Sequence, residues 1–168
     1  DERMYRIRLN DPCNLRLDGK ALIDGTAWDY AYVELGDPGI PHAVVPVKNL
    51  RDFDTAKLRE LGRRLRYYPE FPKGANVNFY EIIGPDHIYE RTYERGVEDF
   101  TYACGTGTGS VVTVLTLLGK VSGHQVRVDM TGGQLMVDVE REGNQVTNLY
   151  LTGPTNIVCK GEITDEAL

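Results

Sequence analysis

Residues 93–118 read YERGVEDFTYACGTGTGSVVTVLTLL, and the conformation of the last eight decides the architecture. VVTVLTLL is apolar on every side and rich in β-branched residues, so propensity alone favours a fully buried strand. The alternative is a central helix buried on all faces, opening at Gly105-Thr106-Gly107 and closing at Gly119. Local pattern leaves both open. If the segment is a helix, its first turn presents unpaired N–H groups and the positive dipole end beside Cys104. Those amides suit a carboxylate or phosphate, and glycines let a ligand approach the backbone. The same field is expected to depress the Cys104 thiol and make it a base or nucleophile, exposed in an open cleft. The plainer alternative is an inert buried cysteine beside a glycine turn. GTGTG lacks the lysine of a P-loop and the βαβ spacing of a dinucleotide fingerprint.

Outward from this stretch, the 168 residues are enough for one domain and too few for two ordinary ones. Lys and Arg number 19 against 25 Asp and Glu, a net charge of −6, which argues against a nucleic-acid partner. No apolar run reaches the roughly 18 residues of a membrane span. The opening DERMYRIRLN lacks the apolar core of a secretory signal. Because the chain begins at Asp1 without a methionine, a processed product or a piece of something longer is expected. Cys13, Cys104 and Cys159 are widely spaced, as are His42, His87 and His124, so neither a disulfide framework nor a metal cluster is indicated. A reducing, cytoplasmic setting is expected.

Most other signals are strand signals. Alternating or β-branched runs fall at residues 4–9, 28–35, 42–47, 77–83, 87–93, 125–130, 134–139, 146–151 and 156–163. Turns are expected at Gly84-Pro85, Gly132-Gly133 and Gly153-Pro154. One amphipathic helix is clear: Asp54 is a good N-cap, Leu58, Leu61 and Leu65 share a face, and Pro69 and Pro72 lie beyond its end. Its basic flank reads as a solvated face.

ERGV and ACGTG (94–97, 103–107), preceded in order by PHAVV (41–45), GANVNF (74–79) and HIYERTYERG (87–96), resemble the C-terminal half of the diaminopimelate epimerases. GGQL (132–135) and LTGP (151–154) fit the same pattern. The resemblance runs through nearly the whole chain, most securely over 41–161, and makes residues 1–168 the C-terminal domain of such a protein. It implies an α+β fold in which a sheet wraps a central helix as a half-barrel, one of two similar halves with the active site between them. It also implies an isomerase that needs no cofactor and interconverts LL- and meso-diaminopimelate in lysine and cell-wall precursor synthesis. One cysteine thiolate takes the α-proton while a facing thiol delivers another.

Carried over by position, Cys104 resembles the acid/base cysteine of this half, and His42 and Glu94 match the polar pair flanking the reacting centre. Gly105 and Thr106 match the amides that hold the α-carboxylate. Asn76 and Arg95 match residues gripping the distal end of the substrate. Read without the resemblance, His42 is a strand-end histidine and Glu94-Arg95 a surface ion pair. Cys13 and Cys159 match no catalytic position and are expected to be structural and shielded. Two departures stand out. Gly39-Ile40-Pro41-His42 replaces the usual G-N-P-H, putting isoleucine where a substrate-gripping asparagine is common, and the segment between ERGV and ACGTG is one residue longer. No second cysteine–glycine element occurs here, so the N-terminal half would lie outside these residues, and the isolated chain is expected to be inactive. Expected partners are a small amino-acid substrate and that other half, with a homodimer left open and neither nucleic acid nor membrane. Another racemase or isomerase of the superfamily, or a binding domain that kept the fold without catalysis, are the competing readings.

Overall fold

The computed structural model describes residues 3–162 and 164–167. Their order is β1 (Arg3–Arg8), β2 (Pro12–Ile23), β3 (Thr26–Leu35), β4 (Ile40–Pro46), α1 (Thr55–Arg66), β5 (Asn76–Gly84), β6 (His87–Tyr93), α2 (Gly105–Leu117), β7 (Val126–Met130), β8 (Gly133–Glu142) and β9 (Gln145–Thr155). The strands form one nine-stranded sheet in the order β1-β9-β8-β7-β6-β5-β4-β3-β2. Neighbours are antiparallel except β4–β5 and β6–β7. A parallel pair needs a crossover, and α1 and α2 supply the two.

α2 touches strands from both ends of the sheet, β2, β3 and β4 as well as β8 and β9, so the sheet curls around it. The inner core joins Val111, Val112, Val114 and Leu115 to Val33, Val44, Ile88, Val128, Val137 and Leu149. Alternate residues face outward, where Val45, Val77 and Phe79 pack under Leu58, Leu61 and Leu65 of α1. The expected cap is present, with Asp54 accepting from the Lys57 N–H at 2.9 Å.

Residues 111–117 are therefore helix, as the resemblance implied and local propensity did not. Each β-branched residue costs a helix at most about 0.7 kcal/mol, whereas fully burying a valine or leucine side chain returns about 1.5–3 kcal/mol. A helix also satisfies its own backbone inside an apolar shell where no strand neighbour is available. Its end is closed by Lys120 N–H donating to Leu115 and Gly119 N–H to Thr116, with Gly119 at φ 67°.

One strand expectation and one turn expectation fail. Residues 156–162 are irregular rather than a final strand, and Ile163 lies outside the described residues. Gly153-Pro154 is not a turn; it continues β9 opposite Tyr5 and Met4 of β1. Pairing with β8 has already ended at Thr152, so the missing proline N–H breaks no bond to β8. β2 went unpredicted. It pairs with β3 through the Asp24-Gly25 turn, both residues at positive φ (48° and 78°).

Candidate active site

The N-terminus of α2 and the adjoining ends of β4, β5 and β6 gather the residues singled out from the sequence. Parallel register sets His42 beside Asn76 and Val44 beside Asn78, and Asn78 lies opposite Thr92 of β6. Asn76 Oδ1 accepts the Arg95 N–H at 2.8 Å, while the Arg95 guanidinium donates to the Lys73 carbonyl at 3.1 Å. Glu94 is held by the Thr101 hydroxyl at 2.6 Å rather than by Arg95.

Cys104 is the N-cap of α2 in extended conformation (φ −135°, ψ 102°) and is half-buried. Its carbonyl accepts the Thr108 N–H at 2.8 Å, so the amides of Gly105, Thr106 and Gly107 precede the first intrahelical bond. The sulfur lies 3.7 Å from the Thr106 hydroxyl. The expected depressed thiol is not found. Burial, then the negative charge of Glu94, push Cys104 up to about 12, and the Gly107 amide and Thr106 hydroxyl offset only part of this. Low polarity beats the helix end here. The cysteine expectation also fails at Cys159, which is exposed, while Cys13 is half-buried and donates to the Gly36 carbonyl at 3.2 Å.

His42 is fully buried and held neutral, its pKa lowered to about 3 by burial and by the Arg95 charge. Asn78 Nδ2 reaches both His42 Nδ1 and the Ala43 carbonyl at 3.2 Å. The carbonyl fixes which end of the amide is the donor, so Nδ1 accepts and the imidazole proton sits on Nε2. That buried N–H has no partner among the described residues. Buried donors normally find acceptors.

Beyond Asn78 the network continues into residues that the sequence reading passed over. Thr92 Oγ1 lies 3.1 Å from both Asn78 Oδ1 and Glu90 Oε1, and Thr108 Oγ1 donates to Glu90 Oε2 at 2.9 Å. The available signal was alternation: Asn76 and Asn78, then Glu90 and Thr92, are polar residues at inward strand positions. Gly107 sits between this network and the sulfur. A Cβ there would fall 2.3 Å from Asn78 Oδ1 and 3.2 Å from Cys104 Sγ. Gly107→Ala is accordingly expected to cost about 1–3 kcal/mol through overpacking. Urea denaturation measures it, and an unchanged midpoint would show that Asn78 can step aside.

A sheet rolled around one buried helix is also the fold of a solved amino-acid epimerase. A crystal structure of a hydroxyproline epimerase from Agrobacterium vitis, with bound trans-4-hydroxy-L-proline, superposes with a TM-score of 0.65 at 20% identity, covering 89% of this chain and 50% of that one. Within that class the assignment is narrower. The diaminopimelate epimerase family model matches residues 36–158. The diaminopimelate epimerase of Chlorobaculum tepidum is 40% identical over 164 residues, 97% of this chain and 59% of that protein. That of Leptospira biflexa is 37% identical over 141 residues, 84% of this chain and 46% of that protein. The chain belongs to the diaminopimelate epimerase family, and it spans about half the length of the curated relatives it matches.

Proposed function

We propose that this chain is the C-terminal half of an amino-acid epimerase and supplies one of two facing acid/base cysteines, with diaminopimelate the lead substrate. The observation that carries this is the convergence on Cys104 of free first-turn amides, the Glu94 carboxyl and, in the adjoining network, a buried unpartnered His42 N–H.

The substrate α-carboxylate would sit on the Gly105 and Thr106 amides, which are preorganised where charge accumulates as the α-proton leaves. A thiol held protonated by burial suits the acid step. Cys104 gives its proton to one face of Cα and becomes a thiolate, while a cysteine of the other half takes the α-proton from the opposite face and becomes a thiol. The roles exchange in the reverse direction. The His42 Nε2–H is a neutral donor, so it stabilises developing negative charge without quenching the thiolate by proton transfer. No step needs a cofactor, and a cytoplasmic setting is consistent with free thiols.

Substrate choice rests on the distal end. Asn76 and Arg95 are joined by a hydrogen bond and offer amide and guanidinium chemistry. Ile40, at the first position of β4 and two residues before His42, is 37% exposed and offers none. An unpaired buried polar group on the ligand costs about 1–3 kcal/mol, or roughly tenfold to a hundredfold in affinity. A substrate with a less polar distal end is therefore the second reading.

The test follows α-proton exchange in deuterium oxide and inversion by the full-length protein on diaminopimelate and single-centre amino acids, with Ile40→Asn alongside. Diaminopimelate is expected to lead, with Ile40→Asn improving it. Equal turnover across the panel would favour a general racemase, and no turnover a binding domain. The isolated 168-residue chain should show none, and stereospecific turnover by it alone would sink the two-half scheme.

A further inference from the structure

Glu90 is the one carboxylate among the described residues that is buried at 2% exposure, near the reacting sulfur, and unused by the scheme above. Hydrogen-bond geometry couples its protonation to the Thr92 hydroxyl. Thr92 has one hydroxyl proton and two oxygen neighbours at 3.1 Å, Asn78 Oδ1 and Glu90 Oε1. The Asn78 amide cannot be turned, because its Nδ2 serves the Ala43 carbonyl. With the Thr92 proton on Asn78, the contact with Glu90 is a bond only if Glu90 carries a proton and donates it. An ionised Glu90 would claim the Thr92 proton and leave Asn78 Oδ1 facing a bare oxygen.

Glu90 and Cys104 line the same narrow hollow with Thr92, Thr101, Tyr102, Ala103 and Met130, and it is too small to hold a water. A charge on either is thus poorly screened from the other. The groups facing Glu90 are the hydroxyls of Thr92 on its own strand and Thr108 on α2, with neutral Asn78 of β5 beyond and no cation among the described residues. Those facing Cys104 are Glu94 and Glu90 from β6 and its exit, and the Gly107 amide and Thr106 hydroxyl from α2. Asp129 of β7 pairs opposite Tyr89 and bonds His87, on the far face of the sheet from Glu90.

We infer that Glu90 is a positioning residue for the charge of Cys104: the pocket holds one negative charge between them, and Cys104 becomes a thiolate only while Glu90 keeps its proton. Ionised Glu90 holds Cys104 as a thiol. The pair titrates as a unit. This rests on the reading of Cys104 as an acid/base group and adds, beside Glu94, a second carboxyl that biases which of the two forms is present.

Glu90→Gln separates this from a structural role, since glutamine keeps an acceptor for Thr108 and a donor for Thr92 but cannot ionise. Iodoacetamide labelling of Cys104, followed by peptide mass spectrometry from pH 6 to 10, reads the sulfur without requiring turnover. In the full-length protein the variant is expected to label Cys104 at least tenfold faster than wild type at pH 8. Equal rates in a variant with unchanged thermal midpoint would overturn the inference. Should the variant fail to fold, the carbon-13 titration of the wild-type Glu90 carboxyl decides: a midpoint near 7 sustains the inference and one near 4 overturns it. Turnover surviving Cys104→Ser would instead strike the acid/base reading itself.

Discussion

Cys104→Ser in the full-length protein should lower inversion at Cα by a factor of about 10²–10⁴, the range associated with loss of one general acid–base group. A serine hydroxyl is too weak an acid to deliver the proton and too weak a base to accept it. The loss should appear in both directions, because in the proposed scheme Cys104 alternates between the two roles. Binding should survive, since the amides of Gly105 and Thr106 belong to the backbone. Stability should survive as well: the sulfur is half-buried, and its one side-chain partner among the described residues, the Thr106 hydroxyl, lies 3.7 Å away. The discriminating measurement is deuterium incorporation alongside chirality. With Cys104 gone, a facing cysteine can still exchange the α-proton of one epimer on its own side, so exchange without inversion is the expected signature. Inversion at wild-type rate would remove Cys104 from the mechanism.

That signature depends on a site whose parts were unequally legible in the sequence. α1 could be read because Leu58, Leu61 and Leu65 mark a buried stripe on an otherwise charged helix. α2 could not, because a helix enclosed on all sides has no stripe, and its β-branched residues point locally to strand. Only the ordered motifs resembling a family favoured the helix. β2 was missed where Asp18-Gly19-Lys20 and two register shifts interrupt its pattern, although Asp24-Gly25 is the dipeptide a tight hairpin favours. Cys104, Glu94 and Arg95 were accessible as contiguous motifs. The network of Asn78, Thr92, Glu90 and Thr108 was not, because it exists only once antiparallel register and a crossover helix bring three elements together. The direction of the Cys104 shift was misread for a related reason. A helix end can be inferred from glycines, but the depth of burial that overrides it depends on the whole sheet.

The same buried groups should write themselves into the pH dependence of folding, with opposite signs. His42 has a folded pKa of about 3 against an ordinary 6.5, so between those values the unfolded chain binds a proton that the folded chain refuses. Its contribution is therefore complete above pH 6.5 and declines as the pH falls, by about 1.4 kcal/mol per unit. Glu90 runs the other way. Burial raises it from 4.5 to about 7, so the folded chain keeps a proton that the unfolded chain loses. That contribution is complete below pH 4.5 and declines as the pH rises to 7, by a total on the order of 3 kcal/mol. Neither group is solvent-screened, at 0% and 2% exposure. From pH 4.5 to 6.5 the two slopes oppose and nearly cancel, giving a flat top; acid destabilisation below it belongs to His42 and the first loss above it to Glu90. Glu90→Gln removes only the second. Urea unfolding of the variant against wild type should favour the variant by about 3 kcal/mol more at pH 7.5 than at pH 4. A difference between the two proteins that does not change with pH would mean that Glu90 carries the same charge folded and unfolded, and the buried neutral carboxyl would have to be given up.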